Sequence, residues 1–259
     1  MEQGVTNFKL VTAHNTLYLV ENRGRLELRG RDKSVQSVVD LAEPQRLELD
    51  NLRYLVSVLL FIPPPRRILM LGTGAGSLLH FLRHQYPEAR LTALDIDREL
   101  IEEMLARQVL PAADDRLEYV FADAADYLDQ PRQPFDLVAV DIFYGAQTPA
   151  WLLAKNRLLQ LHGLLSNPGA LAFNLLLDSD HELQRFQREM QRLFQQQTLS
   201  LPVPGLENRV VIGVQGDVGA RDMASNLQRA AELSAQIDID LMPMLSLMYN
   251  TNPAGDGLL

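Results

Sequence analysis

The stretch Arg67-Ile68-Leu69-Met70-Leu71-Gly72-Thr73-Gly74-Ala75-Gly76 constrains this chain more than any other. Four apolar residues, Ile68 to Leu71, follow Pro63-Pro64-Pro65. A short apolar run bounded by breakers reads as a strand buried on both faces, as in a parallel sheet. Glycines at alternate positions come next, then Ser77 and the helix-spaced Leu78, Leu79, Phe81 and Leu82. The order is strand, tight glycine turn, helix. Such a turn lets a ligand approach bare backbone, and a helix start offers unpaired N–H groups. The spacing is G-x-G-x-G, with Ser77 where a dinucleotide fingerprint has its last Gly. A plain turn would need one glycine. The next apolar strand, Leu91 to Leu94, ends at Asp95, nineteen residues past Gly76, where an acid can accept hydrogen bonds from ribose hydroxyls. Gly72, Gly74, Gly76 and Asp95 together point to a nucleoside site.

From Arg67 onward the alternation is regular. It predicts strand 68–71 and helix 77–86, strand 91–95 and helix 98–108, strand 117–122 and a short helix 124–129. Strand 136–141 then leads to helix 149–165, stopped by Asn167-Pro168-Gly169, and strand 170–176 to helix 180–195. Two strands near 197–203 and 209–215 follow, joined through Pro202-Val203-Pro204-Gly205, and then a helix over 221–236. The tail from Asn250, with Pro253, Gly255 and Gly257, reads as disordered. Upstream, 8–11, 17–20, 26–28 and 35–39 read as short strands, with a turn at Asn22-Arg23-Gly24. Leu47 to Phe61 carries apolar residues at helical spacing, ended by Pro63. The expected architecture is α/β: a seven-stranded, mostly parallel Rossmann-like sheet with helices on both faces. A small N-terminal β-domain occupies residues 1–46, and the nucleoside-binding domain 47–259.

The apolar share, 47% of 259 residues, suffices for such a core. Cysteine is absent, which excludes disulfides and thiolate metal sites and fits a cytoplasmic protein. No run of about 18 apolar residues exists and MEQGVTNFKL lacks a signal-peptide core, so a soluble protein without a membrane partner is expected. The net charge of −9 is uneven: residues 1–67 carry +2 and the remainder −11. An acidic sheet domain disfavours a nucleic-acid partner and suits a cationic small molecule.

Ligands of open parallel sheets lie beyond the carboxyl ends of the strands. Those ends carry Gly72, Gly74 and Gly76; Asp95 and Asp97; Asp123, Ala124 and Asp126; Asp141, Phe143 and Tyr144; Asn174 and Asp178. Asp123 suits an adenine amine, with the N–H of Ala124 reading the ring, and equally suits an N-cap for helix 124–129. Asp141 ends the run Leu137-Val138-Ala139-Val140, where a partly desolvated carboxylate can orient a cationic amine or take its proton, or else bond to loop backbone. Phe143 and Tyr144 either wall a substrate pocket or pack. None of the five histidines shows metal-ligand spacing; His80 and His84 lack further ligands, so no metal is expected.

These residues resemble the spermidine synthase family of aminopropyltransferases and its methyltransferase-like relatives within the class I S-adenosylmethionine-dependent superfamily. The likeness runs from about Val35 to Gln215, through the Gln36 region, ILMLGTGAGSLLHFL, LTALDIDREL, LEYVFADAADYL and FDLVAVDIF. The closing hairpin of the sheet is also similar, since in that superfamily the last strand runs antiparallel. The resemblance implies a sulfonium nucleoside as co-substrate, either S-adenosylmethionine or its decarboxylated form. Asp95 matches the family's ribose acid, Asp123 and Ala124 its adenine-reading pair, and Gln36 a cofactor-side glutamine. Asp141 matches the first Asp of the Asp-Ser-Ser-Asp gate loop, the proposed base for the attacking amine. The family commonly dimerises, so a homodimer is expected by analogy.

Three positions depart from the family. Ala75 stands where the glycine loop has an Asp that helps hold the aminopropyl amine. Tyr144 stands at the second Asp of the gate loop. Asn51-Leu52-Arg53-Tyr54 lacks the Tyr-His-Glu stretch that contacts the polyamine. Burying an ammonium without paired acceptors costs several kcal/mol, which weighs against putrescine or spermidine. Three activities remain open: transfer of an aminopropyl-type group to an amine, methyl transfer from S-adenosylmethionine to a small molecule, and nucleoside binding without turnover.

Overall fold

The computed structural model describes residues 6–145, 147–216, 222–252 and 258–259. Four strands, β1 (Thr6–Val11), β2 (Thr16–Asn22), β3 (Arg25–Arg29) and β4 (Val35–Asp40), form an antiparallel sheet in chain order. Strand alternation explains its single packed face: Leu17 and Leu19 on β2 and Leu26 and Leu28 on β3 are buried. Arg23 and Gly24, both at positive φ, make the tight turn between them.

The second sheet holds β5 (Arg67–Leu71), β6 (Arg90–Asp95), β7 (Leu117–Phe121), β8 (Phe135–Val140), β9 (Leu165–Leu175), β10 (Thr198–Pro202) and β11 (Arg209–Gln215). Their order is β10-β11-β9-β8-β5-β6-β7. The pairs β5–β6, β6–β7, β5–β8 and β8–β9 are parallel, and β11 runs antiparallel to both β9 and β10. The strands leave β5 in opposite directions, toward β6 and toward β8, which creates the crevice where ligands of such sheets sit.

Helices cover both faces. One core cluster gathers α1 (Asp50–Leu55), α2 (Ser77–Gln85), α3 (Arg98–Ala106), α7 (Met223–Ile237), α8 (Met242–Thr251) and the inner face of the N-terminal sheet. The other gathers α4 (Ala124–Leu128), α5 (Lys155–Gly163) and α6 (Asp180–Leu193). Ile68 and Met70 face the first cluster, Leu69 and Leu71 the second, so β5 is apolar on both sides as its sequence requires.

Three local expectations need correction. The helix read over 47–61 is a short α1 that tightens into a 3₁₀ segment, Val56–Leu60. The helix read over 149–165 is likewise split: a 3₁₀ turn, Ala150–Leu153, precedes α5. β9 begins before Asn167-Pro168-Gly169, not after it. The cis Asn167–Pro168 bond lies inside the strand, where β8–β9 pairing shifts register between Phe135 and Leu137, the kind of irregular strand position that tolerates proline.

The C-terminal region also differs. α8 has no counterpart in the sequence reading, because Met and Leu surround the helix and blur its period, and Pro243 looks like a breaker although the first turn tolerates it. Asn250 and Thr251, expected in a disordered tail, close α8. Asn252 accepts from Ser200 N at 2.8 Å and donates to Ser200 O at 3.2 Å, so an amide side chain serves the open edge of β10. Leu258 is fully buried. Residues 253–257 of that tail, and Arg221 at the expected helix start, lie outside the described residues.

Candidate active site

The strand tips surround a cavity of about 380 Å³. Its lining includes Gln36, Gly72, Gly74, Asp95, Asp123, Ala124, Asp141, Phe143 and Tyr144. Of the strand-end residues singled out from sequence, Gly76, Asp126, Asn174 and Asp178 are outside this lining. Gly76 is the left-handed N-cap of α2, and a Cβ there would fall 2.2 Å from Leu110 Cδ2, so its role is close packing.

Asp95 braces the glycine turn from beneath. Its Oδ2 accepts the N–H groups of Thr73 and Gly74 at 2.9 and 3.1 Å, and its Oδ1 accepts that of Asp97 at 2.9 Å. Burial pushes its pKa up, and these three N–H groups pull the other way. A carboxylate has about four lone-pair sites, so Oδ1 retains acceptor capacity toward the cavity. Asp97, almost fully buried, caps α3 through Leu100 N at 3.1 Å. It also receives the Thr12 hydroxyl at 2.7 Å and the Asn15 amide at 3.1 Å. The β1–β2 turn is thereby clamped over the cavity, which brings His14 and Asn15 into the lining.

A second strut joins the two sheets. Ser77 Oγ donates to Val38 O at 2.7 Å and meets Ser37 Oγ at 3.0 Å. The residue that interrupts the glycine fingerprint thus fastens β4, and Gln36 with it, against the turn. Gln36 itself is exposed and reaches the cavity from that strand.

Asp123 caps α4 by accepting from Ala125 N at 2.8 Å. The cap engages Oδ1 and leaves Oδ2 free to serve a ligand amine, so the two sequence readings are compatible. Ala124 is buried at the first position of α4, where N–H groups have no intrahelical acceptor.

Asp141 follows β8, tied there by its N–H to Leu71 O at 2.8 Å. Burial raises its pKa to about 6, against the opposing hydrogen bond from Asn174 Nδ2 at 2.8 Å. Asn174 Oδ1 in turn accepts from Asn208 Nδ2 at 3.0 Å. The carboxylate is held by one amide, which is held by another, and among the described residues it meets no cation. Gly72, at φ +93°, lets the tips of β5 and β8 meet: a Cβ would fall 2.2 Å from Asp141 O. Phe143 and Tyr144 reach the cavity from the loop after β8, with Tyr144 half exposed on a turn that pairs with Gln147.

Trp151, Asn51, Leu176 and Asn208 complete the β8-side wall. Sequence reasoning did not assign them. Trp151 is the chain's single tryptophan, a composition signal that singled it out without placing it. Asn208 sits in the loop before an antiparallel strand, and no local spacing marks it. His80 bonds Val109 O through Nε2 at 2.7 Å, and burial lowers its pKa. Among the described residues, no group of three or more His, Asp or Glu side chains is placed to hold a metal. No helix among them is long and apolar enough to cross a membrane.

Comparison with known proteins agrees with this fold. Residues 68–162 match the family described as methyltransferase domain. A probable spermidine synthase from Corynebacterium glutamicum superposes with a TM-score of 0.75 at 20% identity, covering 89% of this chain and 86% of that one. A spermidine synthase in complex with the transition-state analogue AdoDATO gives 0.64 at 14% identity, covering 90% and 88%. These likenesses establish the fold. The sequence is 29% identical over 223 residues to the polyamine aminopropyltransferase of Neisseria meningitidis serogroup A, covering 85% of this chain and 84% of that protein. The polyamine aminopropyltransferase of Chromobacterium violaceum is 28% identical over 220 residues, with the same coverage.

Proposed function

We propose that this protein transfers an aminopropyl-type group from decarboxylated S-adenosylmethionine to a small amine. The observation that carries this reading is the half-buried Asp141 carboxylate, with a pKa of about 6, lining the same cavity as Asp95 and Asp123. Those two acids and the N–H of Ala124 fit the hydroxyls and base of an adenosine. A sulfonium nucleoside, when bound, supplies an activated carbon and a neutral thioether leaving group. Asp141 orients the acceptor amine and takes its proton as the N–C bond forms and the C–S bond breaks. Asn174 holds the carboxylate in place, and the apolar surroundings keep it basic enough to work near neutral pH. The setting is cytoplasmic, and the assembly a homodimer.

Methyl transfer to a small acceptor is the second reading. The methyltransferase-domain match favours it, as does Ala75, which is buried and offers no acceptor for a donor ammonium. Calorimetry separates the two. Aminopropyl transfer requires tight binding of decarboxylated S-adenosylmethionine; tight binding of only the carboxylated form establishes methyl transfer instead. No binding of either at millimolar concentration would leave a protein without this chemistry.

A further inference from the structure

The charge on the cavity wall is divided by sheet order, and the division bears on the acceptor. Asp95, Asp97 and Asp123 line the β5–β6–β7 half, whereas on the β8–β9–β11 half Asp141 is the one carboxylate among the described lining residues. The first three already have assignments: Asp95 receives three backbone N–H groups, Asp97 receives Thr12, Asn15 and Leu100, and Asp123 caps α4. Two rim acids lie nearby but outside the lining. Asp178 is exposed and accepts from Gln147 Nε2 at 2.6 Å, and Glu207 is exposed beside Asn208. The rest of the acceptor wall is neutral: Asn51, Asn208, Phe143, Tyr144, Trp151 and Leu176. Aromatic faces can hold a cation, but Trp151 already has the Arg157 guanidinium 5.9 Å from its ring centre, which repels a second. A donor that carries its own ammonium draws on Asp141 as well.

On the reading given under the proposed function, we infer that the acceptor is an amine with a single cationic nitrogen and an uncharged, partly apolar body, rather than an α,ω-diamine. Asp141 satisfies one nitrogen. A second ammonium on this side meets amides and rings, and its desolvation goes uncompensated. An uncharged body of the same size gains from those same walls.

The test uses the wild-type protein saturated with 5′-deoxy-5′-methylthioadenosine, which has no amine side chain. Calorimetric titration then compares n-pentylamine with 1,4-diaminobutane, two amines of equal heavy-atom count. The monoamine is expected to bind at least tenfold more tightly. Equal or tighter binding of the diamine overturns the inference, as does failure of both amines to bind a protein that binds the nucleoside. The nucleoside titration is read first, so a failure of the site itself is distinguished from a failure of the acceptor assignment. Tyr144→Asp, at an exposed loop position, places a second carboxylate on this wall and is expected to shift the preference at least tenfold toward the diamine. An unchanged preference would also count against the inference.

Discussion

The two halves of the cavity wall are built differently. On the β5–β6–β7 half, the carboxylates are tied into the protein's own backbone: Asp95 to the glycine turn, Asp97 and Asp123 to helix starts. On the β8–β9–β11 half, Asp141 is half-buried with one amide partner and a raised pKa. The first half is a preformed cradle whose acids are stabilised in place. The second holds a charge at a cost to the fold, the arrangement expected where a group does chemistry.

Asp141→Asn should break the comparison most severely. Activity toward an amine should fall about 10²-fold or more if the carboxylate is the base, and an unchanged rate would remove that role. The same substitution should stabilise the protein. The folded pKa of about 6 lies above the ordinary 3.8, so the ionised form is disfavoured in the fold. That penalty is absent below about pH 4, grows between about pH 4 and 6, and levels off above that at about 2–3 kcal/mol. Thermal melts of Asp141→Asn against wild type should therefore diverge at pH 7.5 and converge near pH 4. Wild-type kcat/KM should rise through pH 6 as Asp141 ionises, and the variant's profile should lack that limb.

Gly72→Ala acts at the seam between the halves. Its Cβ would strike the Asp141 carbonyl, and its φ of +93° is unfavourable for alanine. Displacing the Asp141 carboxylate by about 1 Å should lower kcat by about 10²-fold, with a smaller effect on nucleoside affinity. Asp95→Asn addresses the cradle alone: an amide cannot match the carboxylate's acceptor set. The Kd for 5′-deoxy-5′-methylthioadenosine should rise about 10-fold or more in calorimetry, consistent with the loss of about 1–3 kcal/mol for unsatisfied groups. Ser77→Ala has the smallest expected effect. It removes the strut to Val38 and Ser37, so stability should drop by about 1–2 kcal/mol in denaturant melts while kcat changes only a few-fold.

The same division decides how much the sequence could reveal. The cradle half is local: a strand, alternate glycines and an acid nineteen residues on place Gly72, Gly74 and Asp95 together because one βαβ unit contains them all. The other half is assembled from distant segments. Asn174 comes from β9 and Asn208 from the loop before β11, and the relay from Asn208 through Asn174 to Asp141 depends on β11 returning antiparallel beside β9. No spacing rule encodes that. Gly76 shows the converse case, a residue that completes the motif yet serves packing against Leu110. The C-terminal helix was illegible because its apolar residues follow no single stripe, although Leu245 and Met248 are buried in the core.

The central claim is that this cradle seats an adenosine with its sulfur toward Asp141. A crystal structure of the wild-type protein with 5′-deoxy-5′-methylthioadenosine tests it directly. The expected result places a ribose hydroxyl roughly 3 Å from Asp95 Oδ1, the adenine amine at Asp123 and the sulfur on the Asp141 side. A nucleoside bound outside this cavity, or seated with its ribose against Asp141 and its sulfur toward β7, would contradict it.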